Sequence, residues 1–364
     1  MIGKTINLAK EGIAIDILLF EDDELDKLHE AINKLQLCFH PTYAPNGHFS
    51  AHDLFELQDD KKQVIVIADR NIVSPICEIA TKGKLNDEYR MRKIALFITW
   101  TMYTRVQLAS GLSLYENDSS GRAATSGEEN RMQFLHGVDK IPCQLWKALA
   151  YGEIDQIPEA YLYKAKEVDN IKYDFNDDFL YLSNEAAIIK ITQLLKTQGM
   201  SGIDKFIAFM HWYTDHLDIA ESIMVYAAMV FKNVPHVDAP KGCMSQDYDK
   251  AVAGIRNQAW DITYIVAWSM RYRNENGNSI TMFATDDITQ KSIVVNVIPP
   301  GQCEELLNAA FDTKSQRKKL ELFANAKLGS ARVRPFGDKP LTEKAAIVKQ
   351  LIKEEYDILR KMYS

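Results

Sequence analysis

The sequence predicts an α/β protein: a mostly parallel sheet with a large helical insertion and a helical C-terminal extension. Three observations predict it. Val64-Ile-Val-Ile-Ala68 is a β-branched, continuously apolar run ended by Asp69, the pattern of a strand buried on both faces. Ile280–Ala284 is a second short apolar run and leads at once into Thr285-Asp286-Asp287. Long stretches of helical periodicity separate the two, so strands distant in sequence must pair in one sheet.

The elements follow in order. Apolar Ile13–Phe20 leads into an acidic, helix-like stretch over Glu21–Leu37 and then a polar loop over residues 40–53. After the strand at 64–68, residues 72–82 read as helix. Arg92–Ser110 is apolar nearly all round and predicts a buried helix. Residues 117–130, rich in Ser, Gly, Asn and Glu, are a loop by composition. From 131 to about 235 the pattern is helical. Its longest candidate, Ile203–Lys232, carries Phe206, Ile207, Met210, Tyr213, Leu217 and Met224 at helical spacings, and Pro235 and Pro240 close the block. Asp247–Arg271 predicts another helix, 280–284 and 292–298 predict strands, and 302–364 predicts charged helices. Four segments result: an N-terminal extension (1–61), a discontinuous α/β core (62–118 and 245–300), a helical insertion (119–244) and a basic helical C-terminal extension (301–364).

Composition narrows the class. A chain of 364 residues, 46% hydrophobic and 26% charged, is an ordinary globular chain and not a disordered one. Cys38, Cys77, Cys143, Cys243 and Cys303 never form a CxxC pair, so a reducing compartment is expected, with neither a disulfide framework nor a structural zinc site. The N-terminus lacks the basic and apolar regions of a signal peptide, and the uncharged apolar runs at 94–104 and 222–231 are too short to span a bilayer. A cytoplasmic protein with no membrane partner is therefore expected. The net charge of −7 hides an asymmetry: residues 313–364 carry 13 Lys and Arg against 6 Asp and Glu, and the remainder 30 against 44. An acidic body with a basic tail predicts a surface for a polyanion or an interaction tail.

Open α/β sheets place their sites outside the carboxyl ends of the strands. Asp69 stands at the end of the first strand and Asp286 and Asp287 at the end of the second. Glu116 follows the buried helix, and Asp261 lies between Trp260 and Ile262 in a mostly apolar helix, where unpaired burial of a carboxylate is costly. Gathered carboxylates repel, so such a group needs bound cations or raised pKa values. Oxygen-only ligands suit Mg²⁺ or Mn²⁺, and a pair of such ions can activate water and stabilise the leaving oxygen of a phosphodiester. The plain alternative is that Asp69, Asp286 and Asp287 cap the helices after them.

Asp69-Arg-Asn71 at the end of an early strand, then Glu116, Asp261 and Thr285-x-Asp287, resemble the PIN-domain-like nucleases. The resemblance covers roughly 62–118 and 245–300; compact members of the family lack the other segments. It implies a PIN-like sheet and Asp69, Glu116, Asp261 and Asp287 as metal-binding catalytic acids, with Asp286 beside them. Asn71 and Thr285 would orient ligands or water, Mg²⁺ or Mn²⁺ would be the cofactor, and the activity would be that of an endonuclease favouring RNA over DNA, of toxin or antiviral-defence type. Lys318, Lys319, Arg332 and Arg334 of the tail are then expected to hold backbone phosphates. Asp69→Asn is expected to abolish cleavage and leave folding intact or slightly firmer, because it relieves like-charge repulsion.

Rival readings come from other classes. Arg131-x4-His136 is similar to the spacing in HEPN ribonucleases, which implies a metal-independent helical nuclease, although Met132 stands where that family carries a polar residue. A non-enzymatic protein whose helical insertion binds a partner is the other rival, and a regulatory protein partner stays open under the nuclease reading too. His211-x4-His216 lacks the HExxH arrangement and reads as a polar stripe. Asp174-x-Asn176-x-Asp178 lacks the glycine and glutamate of a calcium loop. His40, His48 and His52 have no cysteine at ligand spacing, and no GxxxxGK[ST], GxGxxG or GxSxG motif occurs.

Overall fold

The two apolar runs become neighbouring parallel strands, and this pairing sets the position of the acids beyond them. The computed structural model describes residues 4–8, 13–17, 24–119, 126–165, 175–275, 277–297, 302–328 and 335–363. In chain order its elements are β1 (Lys4–Leu8), β2 (Ile13–Ile17), α1 (Glu24–Leu35), β3 (Cys38–Phe39), α2 (Ala51–Asp59), β4 (Gln63–Ala68), α3 (Arg70–Lys82), α4 (Glu88–Tyr103) and β5 (Gln107–Ala109). Then come α5 (Ser113–Ser119), α6 (Gly127–Asp139), α7 (Cys143–Tyr151), α8 (Phe179–Lys196), α9 (Gly202–His216), α10 (Glu221–Lys232) and α11 (Tyr248–Tyr272). Last are β6 (Ser279–Ala284), α12 (Ile288–Val297), α13 (Gln302–Ala310), α14 (Lys314–Leu328) and α15 (Leu341–Lys361). The class is α/β, with helix in the majority.

The chain divides into two compact units. The first holds residues 1–114, 124–171 and 274–285, and the second 115–123, 172–273 and 286–364. This division cuts across the segments read from the sequence. Helices α6 and α7 of the 119–244 block belong with the sheet, and α8 to α10 belong with α11 and the C-terminal helices.

In the first unit the strand order is β3-β6-β4-β5. β4 runs parallel to both β5 and β6, and β3 pairs antiparallel with β6. β4 is thus an interior strand, and Val64, Val66, Ile67 and Ala68 are buried, as its unbroken apolar run requires. The β4–β6 register sets Ala68 opposite Ala284, so Asp69 and Thr285 leave adjacent carboxyl ends. α3 begins at once, and Gly83 in the left-handed region ends it. Pro75 within α3 lacks the N–H that the Asn71 carbonyl would receive. The Arg90 guanidinium donates to that carbonyl instead, at 3.0 Å.

The buried helix expected over 92–110 is shorter. It closes at Tyr103, where the Thr104 hydroxyl donates to Trp100 O at 2.7 Å and Arg105 adopts a φ of 54°. Residues 107–109 then turn back as the edge strand β5. Gln107-Leu-Ala109 has no β-branched residue to announce it. The helix's buried face, including Met91, Ile94, Phe97, Ile98 and Trp100, joins Leu28, Ile32, Val66, Ile72 and Ile76 in one core.

In the second unit α8 is buried almost all round, packed by α9, α10, α11 and α15. The single helix expected over 203–232 is two. The chain breaks at an extended, fully buried Leu217, and the Tyr213 hydroxyl accepts from Ala220 N at 2.9 Å. Folding back brings Phe209 within 6.4 Å of Phe231 and buries two apolar faces together. Gly202 is required at the start of α9, because a Cβ there would lie 2.3 Å from Phe231 O.

Of the strand expected over 292–298, the described residues 292–297 lie in the helix α12. Its Ile and Val content favours a strand, but Thr289, Gln290, Ile293, Val294 and Val297 bury at helical spacing, and packing overrides propensity. The loop expected over 117–130 is also shorter: α5 reaches Ser119 and α6 starts at Gly127, with 120–125 outside the described residues.

Candidate active site

In the first unit the predicted residues meet around Asp69. Its carboxylate is fully buried at the carboxyl end of β4. Oδ1 accepts from Ile72 N at 3.1 Å and so caps α3, which is the plain role considered for it. Oδ2 accepts from the Thr285 hydroxyl at 2.6 Å and from Asn71 Nδ2 at 3.3 Å. Parallel pairing thus unites the D-x-N element with the threonine of T-x-D, 216 residues apart.

In the second unit three acids are tied to α11. Glu116, only 7% exposed, accepts from the Tyr264 hydroxyl at 2.9 Å. Asp261 lies three residues before Tyr264, on the same side of the helix. It is half-buried rather than enclosed, and its oxygens accept from Gln290 Nε2 at 3.1 Å and Asn257 Nδ2 at 3.4 Å. Asp287 Oδ1 accepts from Gln290 N at 2.8 Å at the start of α12. Gln290 therefore holds both acids, one through its backbone and one through its side chain. Asp286 faces Lys291, whose Nζ lies 3.6 Å away. The Tyr226 phenol is pushed far above its usual pKa, first by burial and then by Asp261, with weaker pushes from Cys243, Asp238 and Asp287.

Among the described residues no three His, Cys, Asp or Glu side chains gather closely enough to hold a metal ion. Two carboxylates, Asp261 and Asp287, are linked by one glutamine. Gln290 is 1% exposed, and its Oε1 has no hydrogen-bond partner. A buried acceptor left in that state is costly, and this one belongs to the amide that already grips Asp261. An oxygen-preferring divalent cation matches that donor set.

Tyr264 and Gln290 are the residues that sequence reasoning missed. The second had a signal. Asp287-x-x-Gln290 has the spacing of a helix capping box, concealed when the segment after it is read as a strand. Tyr264 had none.

The other candidates stay apart. Lys318 is exposed, and Lys319 pairs with Asp204, holding that carboxyl below its usual range. Arg332 and Arg334 lie outside the described residues. Arg131 donates to Glu128 at 2.6 and 2.9 Å, and His136 Nε2 sits 2.8 Å from Tyr161 O, so each serves a separate local bond. His211 packs edge-on against Phe323, and His216 Nδ1 lies 2.8 Å from Trp212 O. Asp178 caps α8, and Asp174 is outside the described residues.

Comparison with protein-family models, with curated proteins and with solved structures found no match. Among the described residues no helix is long and apolar enough to cross a membrane.

Proposed function

We propose that this chain is a Mg²⁺- or Mn²⁺-dependent endonuclease of PIN-like type. It hydrolyses phosphodiesters, favours RNA over DNA, and acts in the cytoplasm as a toxin or antiviral-defence effector. The observation that carries the reading is the link of Asp261 and Asp287 through Gln290, whose buried oxygen has no donor. Asp261 and Asp287, linked by Gln290, supply negative oxygen to a cation, and Asp286 and Glu116 add negative charge within the same unit. Asp69 is the fixed strand-end carboxylate, with Thr285 and Asn71 orienting it. When bound, the cation supplies Lewis-acid charge to a phosphodiester. Tyr264 holds Glu116 in place, and Lys318, Lys319, Arg332 and Arg334 contact phosphates outside the reaction.

The test is cleavage of end-labelled single-stranded RNA and DNA by the full chain and by Asp261→Asn, Asp287→Asn and Asp69→Asn. The reading expects each substitution to lower the cleavage rate at least 10²-fold, on the order of the loss of one key transition-state group. Asp69 belongs to the other unit, so its variant is a separate arm. Wild-type rates in Asp261→Asn overturn the reading, and wild-type rates in Asp69→Asn alone confine the chemistry to the second unit.

A further inference from the structure

We infer that Arg90 is a positioning residue for Asp69 in the first unit: it holds the first turn of α3, and with it the Asn71 amide that binds the Asp69 carboxylate. The inference rests on the nuclease reading above and adds a residue to it. Oδ2 of Asp69 takes the Thr285 hydroxyl at 2.6 Å and Asn71 Nδ2 at 3.3 Å. The sheet places the first donor, because the β4–β6 register sets Ala284 beside Ala68. The second lacks that support. Asn71 is the second residue of α3, and helix ends fray. Pro75 stands four residues on, where a helix would bring an N–H to the Asn71 carbonyl.

A proline ring also crowds the carbonyl four residues before it, so the Asn71 carbonyl takes its donor from outside α3. Arg90 Nη2 supplies that donor at 3.0 Å. Arg90 reaches it from the first turn of α4, where Asp87 Oδ1 accepts from Arg90 N at 3.0 Å. Arg92, two residues on, is bound elsewhere. Its Nη1 donates to Leu149 O and Ile154 O at 2.6 Å each, and its Nη2 lies 3.0 Å from Glu88 and 3.2 Å from Asp155. The two arginines thus have separate tasks. Arg92 ties α4 to α7 and the loop after it, and Arg90 ties α4 to the α3 turn that carries Asn71.

The experiment is a double-mutant cycle that joins Arg90→Met with Pro75→Ala in the full chain. Alanine restores a main-chain N–H, so α3 itself can then satisfy the Asn71 carbonyl. Two readouts are taken: the Asn71 side-chain amide signals by NMR without metal or RNA, and kcat and KM for cleavage of labelled single-stranded RNA. Arg90→Met is expected to shift the Asn71 amide signals. It should also lower kcat by up to about 10²-fold with KM unchanged, as misplacement of a reacting group does. Adding Pro75→Ala is expected to return both readouts toward the wild type. Arg92→Met is the structural control, expected to lower the unfolding temperature and leave the Asn71 signals in place. Wild-type Asn71 signals in Arg90→Met overturn the inference. So does a kcat that stays low in the double variant after those signals return, which would make Arg90 a contact of the RNA itself. If Arg90→Met does not fold, the double variant should, and its failure to fold overturns the inference equally. The outcomes separate from those of the nuclease reading. Asn71 signals lost and regained without cleavage by any of the chains sink the nuclease reading alone, and cleavage with wild-type kcat in Arg90→Met sinks this inference alone.

Discussion

Asp69 carries two functions in one carboxylate: it caps a helix with one oxygen and takes a hydroxyl and an amide with the other. This revises the expected effect of Asp69→Asn on folding. An asparagine offers one acceptor oxygen; with that oxygen on the Ile72 amide, its Nδ2 faces the Asn71 amide and obliges the Thr285 hydroxyl to turn and accept. The variant should lose about 1–3 kcal/mol in urea unfolding, and unchanged or raised stability would contradict that geometry. His29 gives a second residue-level prediction. It is 4% exposed, lies against Phe49 and Trp100, and neither ring nitrogen has a partner. Burial pushes its pKa down from 6.5 to about 4, against a weaker upward pull from Asp26. As pH falls below 6.5 the unfolded chain takes a proton that the folded state refuses until about 4, so stability is lost across that window. The loss reaches about 3 kcal/mol for a shift of this size. Burial lowers His40 to about 4 as well. His29→Leu should flatten the fall in the urea midpoint between neutral and acid pH, and a wild-type slope would show that the residue's burial has been misread. At this scale the strand-end acids were legible because charge after an apolar run is a local pattern. Tyr264 was not, because its partner Glu116 is 148 residues away.

Among elements, α15 shows how the second unit is held together. Glu355, 5% exposed, accepts from Gln193 Nε2 and Trp212 Nε1 at 2.7 Å each, with Lys190 Nζ at 3.5 Å. One residue on, the Tyr356 hydroxyl donates to buried Glu185 at 2.7 Å. The last helix is thus pinned to α8 and α9 by satisfied polar groups as well as by Val348 and Leu359. Glu355→Ala removes the acceptor of Trp212 Nε1 and the carboxylate beside Lys190, while Gln193 Nε2 keeps the backbone oxygen of residue 355 at 2.8 Å, and should cost about 3 kcal/mol. Glu355→Gln keeps an acceptor and should cost about 1 kcal/mol. Equal losses in denaturant titrations of the two variants would show that packing, not the network, holds the helix. The helices at 72–82 and 247–271 were legible because caps and periodicity agree there: Asp69 and Asp247 cap their first turns. α12 was not, because a β-branched run names the strand while burial decides for the helix. The break between α9 and α10 was equally hidden, since hydrophobic spacing continues across a turn that carries neither Gly nor Pro.

At the scale of the molecule, the α/β class and the parallel pairing of distant strands were legible from two apolar runs. The two-unit division was not. It depends on which helices share a core, and composition does not encode that. The charge asymmetry was legible and leads to a prediction for the whole chain. An acidic body repels a phosphate backbone, so binding relies on local cations. Replacing Lys318, Lys319, Arg332 and Arg334 with Ala should weaken binding to every sequence alike. It should also flatten the slope of log affinity against log salt by about 0.7 per lost contact on a single strand. Lys319 should contribute least, because Asp204 already engages it. An unchanged slope would assign the tail to protein contacts. Cation-dependent phosphodiester cleavage is measured by incubating the full chain with labelled single-stranded RNA in Mn²⁺ and in EDTA. Internal cleavage is expected with Mn²⁺ and none in EDTA. Cleavage that persists in EDTA, or intact RNA and DNA under every divalent ion, would contradict it.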